Sequence, residues 1–371
     1  MSRCHPARDA DRRRKRCVVR LLFAIASMTS APVGAQLPGG QDVTGPYDVV
    51  EGWLKPLPWH QGWTFGLIAA VFPETPDRIF VLQGGELPDP RPTNRSPGPR
   101  SNSDHRPTNF VLVLNADGEL IESWSQWDSL FLRPHKVTMN PYDPEQHIWV
   151  VDDWASQVFK FTHDGSRLVM TLGERGVMAS GRSHFGRPTD MAFLPDGTFF
   201  VSDGYVNTRV VKFDKDGRYV REWGGAGLGP GEFNLPHSVK VDADRRVYVA
   251  DRRNGRVQVF DENGGLLDIW GDMLEPSHLV VAQNQTVWVS DPTLNRLTQY
   301  DLDGMLLTYW GAAGSFPGAF DNPHHFAADS EGNLYVADYA NFRVQKFVPR
   351  PDADRRRLVG PGFISINQAG R

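Results

Sequence analysis

Three histidines in this 371-residue chain each follow a proline, in Arg133-Pro134-His135, Leu235-Pro236-His237 and Asn322-Pro323-His324. Two related steps lie between them, Arg187-Pro188-Thr189 and Glu275-Pro276-Ser277. In chain order the residue after the proline is therefore His, Thr, His, Ser, His. A lone histidine at such a place reads as a hydrogen-bonding side chain. Three in strict alternation, with small hydroxyl residues between them, fit one open metal site. Three imidazoles hold the ion and leave a position for water or substrate. Zinc suits this donor set best, one ion per chain. His278 and His325 are expected near the axis but break the alternation, and are left out of the ligand set.

The elements that position these residues form a repeat. The five prolines are 54, 48, 40 and 47 residues apart, the length of one propeller blade. After each proline comes an alternating run, as in Ser238–Asp242. A β-branched and aromatic run follows: Ile148–Asp152, Phe199–Asp203, Val247–Asp251, Val287–Asp291 and Leu334–Asp338. A third strand, such as Val257–Phe260, leads to an Asp-Gly turn at Asp164-Gly165, Asp216-Gly217 and Asp303-Gly304. An outer strand then ends near Trp223-Gly224, Trp270-Gly271 and Trp310-Gly311. A degenerate copy lies upstream, from Leu67 through Ile79–Gln83 to Asp117-Gly118. It is interrupted by Glu86–Thr108, whose Pro, Asn, Ser and Arg content reads as a long solvated loop. The fold class is all-β, a six-bladed β-propeller of NHL-like repeats, with residues 40–60 helping to close the ring.

Composition narrows the setting. Residues 1–35 read as a signal peptide: a basic run at Arg12–Arg16, an apolar stretch at Leu21–Met28 too short to span a bilayer, and a small-residue site at Val33-Gly34-Ala35. Residues 36–350 are assigned to the propeller and 351–371 to a polar C-terminal tail. Both cysteines, Cys4 and Cys17, fall in the leader, so the remainder offers neither disulfides nor thiolate ligands. The leader carries eight Lys/Arg and two Asp/Glu, so its loss takes the formal net charge from −4 to −10. That balance argues against nucleic acid or an anionic membrane as partner. The expectation is a monomer, secreted or periplasmic, acting on a small molecule or peptide.

Chain direction adds a constraint. If each blade's first strand starts at the mouth that carries the histidines, its second strand ends there. The loop after Asp152, Asp203, Asp251, Asp291 and Asp338 then shares that face. These aspartates, with Arg209, Arg256, Arg296 and Arg343, recur and read as internal pins of each loop. Two neighbours do not recur. Ser202-Asp203-Gly204-Tyr205 holds one residue more before its arginine than the other blades, and Arg252 follows Asp251 directly. A phenol and a guanidinium beside a metal can act as proton acceptor and anion clamp.

At these residues the chain resembles the peptidyl-α-hydroxyglycine α-amidating lyases. The likeness rests on the three Pro-His steps, Pro188-Thr189-Asp190, Ser202-Asp203-Gly204-Tyr205-Val206-Asn207-Thr208-Arg209, and Ala250-Asp251-Arg252-Arg253-Asn254-Gly255-Arg256. It covers nearly all of the chain after residue 35. The resemblance implies zinc on His135, His237 and His324, Tyr205 as base and Arg252 on the substrate. The implied reaction splits the C–N bond of a C-terminal α-hydroxyglycine into an amide and glyoxylate. Four departures stand out. A family arginine aligns with Gln83, with Arg91 the candidate substitute. A methionine is replaced by Asn322. A calcium-ligating aspartate is His325, which withdraws support for a structural calcium. The cysteine pairs are missing, with Val206 and Tyr248 at two of their positions. The altered shell leaves room for a related lyase with another substrate. The competing readings are a non-catalytic NHL-repeat propeller that binds a peptide or protein, and a calcium-dependent lactonase, against which the axial histidines count.

Overall fold

The computed structural model describes residues 42–91 and 105–362. The proposed signal peptide lies outside the described residues, and so do both cysteines. Six four-stranded antiparallel sheets follow one another along the chain. Blade one consists of Ile68–Thr75, Arg78–Gln83, Val111–Leu114 and Leu120–Ser123. The inner strands of blades two to six are Pro134–Met139, Pro188–Phe193, Pro236–Val241, His278–Val281 and Pro323–Ala328. Blade six takes its outer strand from the front of the chain. Tyr47–Val50 pairs with Arg343–Pro349, Tyr47 opposite Pro349, and closes the ring as residues 40–60 were expected to.

Each second strand is apolar at nearly every position, as sheets buried on both faces require. Strand alternation then divides the side chains between two neighbours. In blade four, Val247 and Val249 pack with Phe200 and Val210 of blade three. Tyr248 and Ala250 pack with Leu279 and Val289 of blade five. Six such clusters fill the interfaces between adjacent blades, including the one between blades six and one. Each fully buried Val, Leu or Phe contributes about 1.5–3 kcal/mol. The Asp-Gly hairpins help lock blade to blade. Gly304 has φ +78° and lies against Trp270, so a Cβ there would come within 2.4 Å of the indole.

Two segments differ from expectation. The 86–108 insertion is not loop throughout: Glu86–Pro88 pairs with Trp63–Phe65 in a two-stranded ribbon. The reason is Glu86, which is buried and accepts from Trp59 and Asn109. Of the segment read as a polar tail, residues 351–362 are described. Val359 in it is buried, and its amide donates to the Tyr47 hydroxyl at 2.7 Å. Among the described residues no helix is long and apolar enough to cross a membrane.

Candidate metal centre

The axial residues owe their direction to a β-bulge at the start of the inner strands. Pairing with the second strand slips between Pro134 and Lys136, Pro188 and Asp190, Pro236 and Ser238, and Pro323 and His325. The residue inside each bulge is His135, Thr189, His237 or His324. An extra residue in one strand re-aims its side chain. Here it places the three histidines together at one mouth of the channel, with ring centroids 4.9, 4.8 and 5.0 Å apart. One ligand atom from each falls within 4.8 Å of the others, and all three side chains are buried.

The alternate blades serve the same site through their backbones. His135 Nδ1 lies 2.7 Å from the Thr189 carbonyl, His237 Nδ1 2.8 Å from that of Ser277, and His324 Nδ1 2.7 Å from that of Ala69. A carbonyl only accepts, so each Nδ1 carries the proton and each Nε2 keeps its lone pair for the axis. Burial, joined by the nearby Arg133, pushes His135 down to about 3. Burial likewise holds His237 and His324 well below the ordinary imidazole value. Neutral, tautomer-fixed and convergent imidazoles are the donor set that a zinc ion requires. The residues present therefore fit a metal.

Tyr205 stands directly on this triad. Its hydroxyl is 3.1 Å from His135 Nε2 and 3.0 Å from His237 Nε2. The extra residue in blade three makes that reach possible, because Gly204 passes against the next blade. A Cβ at Gly204 would sit 1.9 Å from the Pro236 carbonyl oxygen. The Tyr205 amide donates to the Arg187 carbonyl at 3.2 Å. Arg187 precedes a proline with φ +63°, a conformation rare for a non-glycine residue. The same device recurs where Arg252 donates to Leu235 and Tyr339 to Asn322, both acceptors at φ +67°. Burial and the Asp153 charge push the Tyr205 phenol up to about 12. Arg252 is largely buried and 3.5 Å from Glu275, and its Nε has no hydrogen-bond partner.

The loop pins read from sequence hold in three blades. Asp203, Asp251 and Asp338 accept from Arg209, Arg256 and Arg343. Arg296 departs, lying instead over the Tyr309 ring with its Nε unpartnered. Of the divergent positions, Gln83 is occupied with the backbone, receiving Gly66 N–H and donating to Asn109 O. Arg91 donates to Phe65 O and Thr64 Oγ1 and covers the Phe342 ring. Neither contact set includes a triad histidine.

Sequence reasoning passed over four residues here. Asp153, buried, accepts from both Arg133 and Arg187. The two guanidinium groups lie over the Tyr205 ring at 5.6 and 4.5 Å and over Trp154 at 5.1 and 5.7 Å. Tyr339 adds a second phenol, its ring 5.2 Å from that of His324. The available signal was that arginine precedes the proline only in two successive blades, next to a non-recurring Asp153.

Comparison with known proteins places the chain among relatives of one kind. The NHL repeat is matched at residues 233–260 and 320–347. The chain is 31% identical over 294 residues to peptidyl-alpha-hydroxyglycine alpha-amidating lyase 1 of Drosophila melanogaster, spanning 72% of this chain and 52% of that protein. It is 32% identical over 307 residues to peptidyl-glycine alpha-amidating monooxygenase A of Xenopus laevis, spanning 77% of this chain and 30% of that protein. It thus covers about a third to a half of the length of these relatives. Among solved structures, virginiamycin B lyase of Staphylococcus aureus superposes with a TM-score of 0.51 at 12% identity, over 86% of this chain and 89% of that one, a likeness of fold alone. The chain is a homologue of the peptidyl-α-hydroxyglycine α-amidating lyases, built on a six-bladed propeller of NHL repeats.

Proposed function

We propose that the protein is a zinc-dependent carbon–nitrogen lyase of the secreted or periplasmic space. It cleaves a peptidyl-α-hydroxyglycine or similar α-hydroxy-amide to an amide and glyoxylate. The observation that carries this reading is the Tyr205 hydroxyl, set against two of three convergent imidazole Nε2 atoms. His135, His237 and His324 would hold the ion, which when bound makes a substrate hydroxyl easier to deprotonate.

In its phenolate form, which a cation held by the triad beside its hydroxyl would favour, Tyr205 takes the substrate hydroxyl proton at its phenolic oxygen as the C–N bond opens. The O–H electron pair becomes the second bond of the glyoxylate carbonyl. The C–N pair leaves on nitrogen, and the proton held by Tyr205 passes to that nitrogen to complete the amide. Arg252, with an unpartnered Nε, faces the carboxylate. Arg133 and Arg187 hold the phenol ring in place from above.

Glyoxylate release from an α-hydroxyglycine amide tests the proposal, with Tyr205→Phe as the partner measurement. Release that depends on Tyr205, at equal zinc content in both proteins, is expected. Release that survives Tyr205→Phe, or none from the unaltered protein, contradicts the assignment.

A further inference from the structure

Because each bulge is one residue long, the residue after it also turns to the axis. A second ring lies under the triad: Lys136, Asp190, Ser238, His278 and His325. Asp190 is buried and accepts from Ser238 Oγ at 2.5 Å, from the Met191 amide and from the Lys240 ammonium. Lys136 Nζ stays 3.9 Å from Asp190, beyond hydrogen-bond distance. His278 and His325 stack with centroids 4.2 Å apart, and neither ring nitrogen of the fully buried His325 has a hydrogen-bond partner.

Under this ring the channel widens, at the mouth opposite the triad, into a cavity of about 740 Å³. Lys136, Lys240 and His278 line it on the channel side, and Phe72, Met139 and Phe326 supply apolar wall. The acidic residues that reach its lining are already engaged. Glu74 is paired with Arg78 and His163, Asp143 with His147 and Lys160, and Asp329 accepts from Asn333 and Tyr335. Two lysine amino groups therefore meet one carboxylate at the channel end, and the Lys136 donors are unspent. A buried cation without a close partner is costly, and an anion in reach relieves that cost.

We propose that this lower cavity binds an organic carboxylate, its charge between Lys136 and Lys240 and its apolar body against Phe72, Met139 and Phe326. The volume is that of an ordinary small-molecule site. The site is separate from the metal centre and does not depend on the lyase reading.

Calorimetric titration of the full chain with phenylacetate tests it. Binding is expected, weakened about tenfold or more in Lys240→Met, as loss of a charged hydrogen bond implies. Phenylacetamide, with the same shape and no charge, is expected to bind about tenfold or more weakly in the unaltered protein, an arm that needs no variant. His237→Ala is expected to bind phenylacetate as the unaltered chain does. No binding, equal binding of phenylacetamide, or loss of phenylacetate binding in His237→Ala each overturns the proposal; the last would move the carboxylate to the triad. Glyoxylate release is read separately, so failure here leaves the lyase assignment standing, and the reverse also holds.

Discussion

His135, His237 and His324 share their strands with Lys136, Ser238 and His325, one residue on and one layer down. The upper layer is held by backbone: three carbonyls from alternate blades fix three neutral rings. The lower layer is held by side chains, with buried Asp190 between Lys240 and Lys136. Burial alone would raise the Asp190 carboxyl, but the two ammonium groups hold it below its ordinary value. A metal centre gains from donors that cannot wander or protonate. A charged ring under a cavity retains capacity for an ion that comes and goes. The same bulge makes both, and the side chains placed on either side of it decide which.

The largest effect should come from the upper layer. His237→Ala removes one of three donors, so zinc should fall from about one per chain toward none and glyoxylate release to background, checked by metal analysis and a glyoxylate assay. Tyr205→Phe keeps the donors and removes the proton carrier. Release should then drop by about 10²–10⁴-fold with zinc unchanged. Gly204→Ala sharpens the point without touching the phenol. The new Cβ meets the Pro236 carbonyl, so displacing Tyr205 should cost about 10²-fold in release while the protein stays folded and zinc-loaded.

The lower layer should answer differently. Asp190→Asn removes the carboxylate paired with the buried Lys240, and urea unfolding should show a loss of about 3–5 kcal/mol with zinc content preserved. Zinc loss in that variant would mean that the layers are not independent. The smallest effect is expected at Gln83→Ala. It should cost about 0.5–1.5 kcal/mol through the lost hydrogen bond to the Asn109 carbonyl, Gly66 N–H keeping its bond to the Gly85 carbonyl, and leave glyoxylate release intact. A fall in release would return Gln83 to the substrate shell.

The blades were legible because their strands alternate and their Asp-Gly hairpins demand positive φ, which Gly165, Gly217 and Gly304 adopt. The histidines were legible because the proline marks the same phase in every blade. Lys136 was not. Strict alternation turns it away from the histidine before it, and only the bulge brings it to the axis. Glu86 hid for another reason: polar and proline-rich surroundings suggest solvent, yet its partners Trp59 and Asn109 lie 27 and 23 residues away along the chain. Tyr205 could be found from one extra residue in its loop. Its supports Arg133 and Arg187 are joined through Asp153 across two blades, a contact that no local pattern encodes.

Metal analysis of the purified protein beside its His237→Ala variant tests the central claim most directly. About one zinc per chain in the former and none in the latter is the expected result. A metal-free unaltered protein, or equal zinc in both, would contradict a zinc centre on His135, His237 and His324.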